Sequence, residues 1–331
     1  MKSWIIRRTG GPEVLELEEV DAAVAGPGEV TIDVEAIGVN AADRYRRLGV
    51  MGPIEGSVTP GIEAIGTVRD DPSGRLAVGT RVATVMGGLQ FERRGTYAEQ
   101  VTVLATNVVA LPETTLGLRD LASIPELYLT AWGAVDRDLG ITADDTLLVR
   151  GASAALGLAA TAYASTILGA RVIAVVRSAK HADTVRAFGA ADVVVEDAGW
   201  TDRVRTLAPH GIDGALDVVG GDGIVATSHV VAPFGKVIVV GLLAGPPVLD
   251  GVNLMTDLAP ATAVGFFPSQ LLGTPALPLD ESPLPEVIAA IEQGDIPSLT
   301  TRSFAFDEVR AMHELLDAPR EPGKFVVLLD V

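Results

Sequence analysis

The sequence predicts an α/β protein in which a doubly wound parallel sheet is joined to a β-rich domain. Three observations predict it: a first stretch of short β-type runs, an alternation of strand and helix patterns from about Leu121, and a last apolar strand near the chain end. In the first stretch, residues 4–6, 14–18, 30–36, 64–68, 81–85 and 97–103 are apolar runs broken by turn residues such as Gly26-Pro27-Gly28. Later, residues 146–149, 172–176, 193–195, 214–218 and 237–240 read as strands. The segments 154–168, 180–188, 200–207 and 223–231 read as the helices between them. This order implies parallel strands with right-handed crossovers. Residues 285–293 and 307–316 read as helices, and 324–329 as a strand returning to the first domain. The 331 residues suit two domains. We expect one at 1–121, completed by about 285–331, and the other at 122–284.

Charge and composition exclude several functions. Lys and Arg number 25 against 43 Asp and Glu, a formal charge of −18. A polyanion is repelled by such a surface, so neither nucleic acid nor an anionic membrane is an expected partner. Cysteine is absent, which removes disulfides, thiolate nucleophiles and thiolate-held zinc. His181, His210, His229 and His313 are scattered without metal-site spacing, so no metal is expected. The first residues lack the apolar core of a signal peptide, and the uncharged segment 151–170 is Ala-rich and holds a glycine turn. A cytoplasmic location is expected.

The most informative segment is 146–177, which runs strand, Gly151-Ala152-Ser153-Ala154-Ala155-Leu156-Gly157, helix, strand. Such a unit binds a dinucleotide pyrophosphate: the first glycine makes the tight turn, amides face the phosphates, and the last glycine lets the helix pack on the sheet. Ala154 stands where the pattern usually has its middle glycine, placing a methyl near the phosphates. A short-chain reductase would need a Tyr-xxx-Lys pair, but Tyr163 is followed at that spacing by Ile167. The second strand stops at Arg177, followed by Ser178 and Lys180. An acid there would take the ribose hydroxyl of NAD, whereas these cations suit the 2′-phosphate of NADP(H). Val219 and Gly220, then Gly241 and Leu242, close two later strands at the edge where such sheets hold ligands.

Taken in order, GGPEVL (10–15), GPGEV (26–30), GVNAADRY (38–45), PGIEAIGTV (60–68), GTYAEQV (95–101), LTAWGAV (129–135), the Gly151 turn, GGD (220–222) and GKFVVLL (323–329) span nearly the whole chain. The chain resembles the zinc-independent medium-chain dehydrogenase/reductases, in the quinone oxidoreductase and enoyl reductase branch. The resemblance implies a GroES-like β-rich catalytic domain, an inserted Rossmann domain, NADPH in the cleft between them, and a homodimer. The implied reaction is hydride transfer to a small-molecule quinone or activated alkene. Asn40 and Asp43 match the GVNxxD element beneath the nicotinamide. Tyr45 matches an aromatic of the substrate pocket, and Thr130 a threonine near the carboxamide. Phe266, Phe267 and Lys324 join the implied cofactor contacts. The pocket is expected to draw on residues 45–54, 87–94 and 266–272.

Three departures bear on mechanism. Met51 stands where enoyl reductases of this branch place a tyrosine proton donor. Glu196 replaces a tyrosine that touches the NADP phosphate, and a carboxylate there would repel it. Pro125-Glu126-Leu127-Tyr128 replaces small or apolar residues, making Glu126 or Tyr128 a candidate relocated acid. Two other outcomes stay open: an enzyme of this fold with altered biosynthetic chemistry, and a non-catalytic NADPH-binding or regulatory protein.

Overall fold

A computed structural model describes residues 1–245, 248–318 and 321–329. The chain divides into two compact units, one of Met1–Leu129, Gln270–Glu292 and Ser298–Val331, the other of Thr130–Ser269 and Gln293–Pro297. The first unit therefore extends beyond residue 121 and reclaims part of the expected second domain. Glu126 donates its amide to Glu63 at 2.9 Å, and Asn107 donates to the Leu272 carbonyl at 2.9 Å, tying both segments to the β-rich core.

The first unit begins with an antiparallel pair, β1 (Lys2–Ile5) and β2 (Glu16–Glu19). Strand β3 (Glu29–Gly38) is its backbone: it pairs antiparallel with β4 (Glu63–Asp70) and with β6 (Gln100–Leu104). Strand β5 (Arg81–Val85) joins β4 to β7 (Val108–Ala110). Val30, Ile32, Val34 and Ile37 of β3 are buried with Val82, Val101 and Val103 in one apolar core, which drives the sheet's closure. Between β3 and β4 lies α1 (Ala41–Leu48), which the apolar periodicity did not reveal. The reason is that α1 buries Asp43, Arg46 and Arg47 rather than an apolar stripe. Helices α2 (Leu118–Leu121) and α3 (Pro125–Ala131) follow.

The second unit is a six-stranded parallel sheet. Its strands are β8 (Thr146–Arg150), β9 (Arg171–Val176), β10 (Asp192–Val195), β11 (Ile212–Asp217), β12 (Val231–Val239) and β13 (Ala263–Phe266), in the order β10-β9-β8-β11-β12-β13. Leu147, Leu148 and Val149 are all fully buried, as expected of a strand covered on both faces. Helices α4 (Ala155–Ala162), α5 (Ala182–Ala187), α6 (Trp200–Leu207) and α7 (Gly223–Ser228) make the crossovers. The expected helix 154–168 changes pitch: α4 passes into a π-helical turn at Tyr163–Ile167, where the Tyr163 hydroxyl donates to Asp136 at 3.1 Å. Strand β13 was not expected from sequence, because four residues with a central glycine carry little periodic signal.

The chain then completes the first unit with α8 (Leu284–Gln293), β14 (Thr300–Ala305), α9 (Val309–Asp317) and β15 (Lys324–Leu328). Strand β15 pairs antiparallel with β3, giving the sheet order β14-β15-β3-β4-β5-β7.

Candidate active site

Every strand pair of the six-stranded sheet is parallel, so the carboxyl ends share one edge. That edge gathers Gly151 after β8, Arg177 and Ser178 after β9, Val219 and Gly220 after β11, Gly241 and Leu242 after β12, and Phe266 at the end of β13. Gly151 has φ +78°, a left-handed conformation in which its missing side chain is needed. A Cβ on Gly157 would lie 2.4 Å from the Gly151 carbonyl, so α4 rests its backbone directly on the turn. Ala154 is extended (φ −72°, ψ 157°), so alanine fits there without backbone strain.

The turn's amides are not all open to a ligand. Those of Gly151 and Ala152 both donate to the Val175 carbonyl, at 3.0 and 3.1 Å, and Ala152 is fully buried. These two residues shape the turn. Ala155, Leu156 and Gly157 open α4, and the amides of its first turn lack intrahelical acceptors. Arg177 is exposed and its side chain has no partner among the described residues. Ser178 accepts a hydrogen bond from the Lys180 amide at 3.4 Å, and Lys180 is exposed. Phe266 is half exposed, whereas Phe267 is buried.

A buried ionic cluster braces this edge. Arg150, the last residue of β8, donates from Nε and Nη2 to Glu196 Oε1 at 2.9 and 2.6 Å, and from Nη1 to Asp217 at 3.0 Å and to the Gly220 carbonyl at 3.1 Å. Asp217 in turn accepts the amides of Val219 (2.8 Å) and Gly220 (2.9 Å). Glu196, expected to confront a cofactor phosphate, thus has its carboxylate in an ion pair. Arg150 and Asp217 are not among the residues expected from sequence. The available signal was a charge at the end of an otherwise apolar strand, beside a glycine turn.

The predicted catalytic residues of the first unit form a different assembly. Asn40 donates from its side chain to Glu63 Oε1 at 2.7 Å and accepts from Lys324 Nζ at 3.1 Å. Lys324 also pairs with Glu63, both side chains being essentially inaccessible. Lys324 therefore belongs to the Asn40–Glu63 cluster, where its charge is matched. Asp43 is fully buried; its Oδ2 accepts the Asn40 amide (2.8 Å) and the Tyr97 hydroxyl (3.3 Å), and its Oδ1 has no partner among the described residues. Burial is the main force raising its pKa to about 7, with the Glu63 charge adding to it. Asp43 is consequently a buried brace of the β3–α1 junction.

Tyr128 is enclosed as well. It is wholly buried, its hydroxyl has no hydrogen-bond partner among the described residues, and burial pushes its pKa well above the usual phenol value. Thr130 is buried and Tyr45 half-buried on α1. Within the expected pocket loop 87–94, Gln90 is buried with φ +59° and receives Arg46 Nε on its carbonyl at 3.2 Å. Another buried pair links α1 to α9: Arg47 donates to His313 Nδ1 at 3.2 Å and to both Asp317 oxygens. Burial and the Arg47 charge hold the His313 pKa down near 3, so the ring is neutral. Among the described residues no group of three or more His, Asp or Glu is placed to hold a metal ion.

Comparison with known proteins agrees with this layout. Residues 26–113 match the profile of the alcohol dehydrogenase GroES-like domain, and residues 155–267 that of the zinc-binding dehydrogenase family. The zinc in that second name finds no thiolate ligands here, since the chain has no cysteine. The chain spans 61% of the length of the rat synaptic vesicle membrane protein VAT-1 homologue, which it matches at 27% identity over 258 residues. A 2-haloacrylate reductase of Burkholderia is 27% identical over 340 residues, covering 98% of each chain. A mycobacterial protein solved in complex with NADPH superposes with a TM-score of 0.84 at 27% identity, over 99% of this chain and 100% of that one. Mouse quinone oxidoreductase-like protein 2 is 32% identical over 261 residues, 76% of this chain and 71% of the relative. Joined to a β-rich unit and a glycine-turn parallel sheet, that level of identity shows that the chain belongs to the medium-chain dehydrogenase/reductase family, with the quinone oxidoreductases.

Proposed function

We propose that the chain is an NADPH-dependent oxidoreductase that reduces a small quinone or an activated alkene without a metal. The observation that carries this reading is Arg177, an exposed guanidinium with no partner among the described residues, one residue past β9 and on the edge that holds the Gly151 turn. A 2′-phosphate is the anion that such a position meets. The NADPH complex of the mycobacterial relative supports the cofactor, and the quinone and haloacrylate relatives support the acceptor class.

When bound, NADPH supplies the hydride. The first-turn amides of α4 would hold the pyrophosphate, Arg177, Ser178 and Lys180 would meet the 2′-phosphate, and Gly220 and Gly241 would let backbone approach the ring. A Cβ at Gly241 would lie 1.9 Å from the Val218 carbonyl, so only glycine keeps that turn open. In this reading Tyr45 would border the substrate and Thr130 would face the carboxamide. With Asp43 and Tyr128 enclosed and Met51 at the usual tyrosine position, the product takes its proton from water. A quinone suits this arrangement, because its reduced anion is self-stabilised and asks little acid assistance. Strand β13 is the outer strand of its sheet, and we read its free edge as the seat of a second copy in a cytoplasmic homodimer. No helix among the described residues is long and apolar enough to cross a membrane.

The test is stopped-flow mixing of protein and NADPH with a panel of quinones, enones and haloacrylates, following nicotinamide absorbance. Oxidation with at least one acceptor is expected. Tight NADPH binding without turnover across the panel would favour the binding-protein alternative, to which the enclosed Tyr128 also points. Arg177→Ala should weaken NADPH by roughly tenfold or more while NADH changes little. Equal losses for both would refute the 2′-phosphate assignment. Light scattering at the mass of a single chain would refute the dimer.

A further inference from the structure

Arg177 and Glu196 occupy neighbouring positions at the ligand edge. Val195 pairs with Val176, and the Glu196 amide donates to the Val176 carbonyl at 2.8 Å. Adjacent strands lie about 4.8 Å apart. A free carboxylate on Glu196 would therefore either occupy the Arg177 guanidinium or repel an anion held by it. Neither occurs. The Glu196 carboxylate is taken by Arg150, and Arg177 is left without a partner among the described residues.

Arg150 is built into this role. It is 5% exposed, and its Nη1 is locked by the fully buried Asp217 and by the Gly220 carbonyl. Gly223 makes room for it: a Cβ there would lie 2.1 Å from the guanidinium carbon. One edge of the guanidinium is thus spent on Asp217, and the other is presented to Glu196. Both hydrogen bonds to Glu196 converge on the single oxygen Oε1. A lysine could not hold both acids in this forked geometry.

We propose that Arg150 is a positioning residue for cofactor selectivity: it captures the Glu196 carboxylate so that Arg177 stays open to a 2′-phosphate. This inference rests on the reading of Arg177 given above. It also explains how a carboxylate is tolerated at a position where it would otherwise discriminate against NADPH.

The experiment is calorimetric binding of adenosine 2′,5′-bisphosphate and of adenosine 5′-phosphate to the full chain, which requires no turnover. Glu196→Gln alone should change either affinity by less than about twofold, because Arg150 already holds that carboxylate away from Arg177. The double variant Arg150→Met/Asp217→Asn removes the captor without stranding a buried acid. It should weaken the bisphosphate by about tenfold by freeing the Glu196 carboxylate to compete for Arg177 at short range, with the monophosphate unchanged. Adding Glu196→Gln to it should restore bisphosphate binding. A tenfold gain from Glu196→Gln alone would overturn the proposal, and so would equal losses for both nucleotides in the double variant. Arg177→Ala separates the two readings. If it affects both ligands equally, the 2′-phosphate assignment fails; if it is selective while the Arg150 and Glu196 changes are independent, only the capture by Arg150 fails.

Discussion

Asp43 offers a quantitative test of the buried cluster in the first unit. Its side chain is fully buried, and its folded pKa lies near 7 against 3.8 for the free carboxyl, with burial the largest cause. The folded chain therefore binds this proton more tightly than the unfolded chain. Stability from the group is complete below about pH 3.8 and is lost as pH rises through 7. Between about pH 5 and about pH 8 the loss amounts to about 2.5 kcal/mol, since one bound proton's difference is worth about 1.36 kcal/mol for each step of one in pH. Asp43→Asn mimics the neutral acid and keeps an acceptor for the Asn40 amide, so the variant should lack this loss. Urea unfolding of wild type and variant at both pH values isolates the contribution, since other titrating groups cancel in the difference. Trp4, 4% exposed in the first unit, reports that unit when Trp132 and Trp200 are replaced by Phe. A variant whose stability falls with pH as steeply as the wild type would refute a protonated, buried Asp43.

Two further substitutions probe the same interior. Lys324→Met should cost about 3–5 kcal/mol of stability, because it strands the buried Glu63 carboxylate. Glu63→Gln in the same chain should recover most of that loss in denaturant unfolding; no recovery would mean that Lys324 acts elsewhere. Tyr128→Phe removes a hydroxyl that has no partner among the described residues. Its stability should be unchanged or higher by about 1 kcal/mol, with turnover intact. A fall in turnover of roughly a hundredfold without loss of stability would reinstate Tyr128 as the acid.

The readable parts of this chain were those whose signal is local. Unbroken apolar runs such as Leu147–Val149 declare a doubly covered strand within three residues, and Gly151 and Gly157 declare the turn that follows. Helix α1 was unreadable for the opposite reason: its buried face is Asp43, Arg46 and Arg47, so an apolar count sees a polar loop. Expectations for Asn40, Asp43 and Lys324 treated polar groups as ligand contacts. Their partners in the fold, Glu63 and Tyr97, stand in separate strands and motifs, and nothing local announces the pairing.

The amino-acid order alone determined the two-part α/β architecture, the dinucleotide turn and the cation at Arg177, because each depends on periodicity or on a glycine at a short, fixed spacing. Only the tertiary structure decided which charges face outward. Arg150 meets Glu196 and Asp217 across 46 and 67 residues of chain, and Lys324 meets Glu63 across 261. Whether a buried charge is neutralised or presented to a ligand depends on strand order and register. Those are set by the packing of the whole sheet, so no stretch of neighbouring residues encodes them.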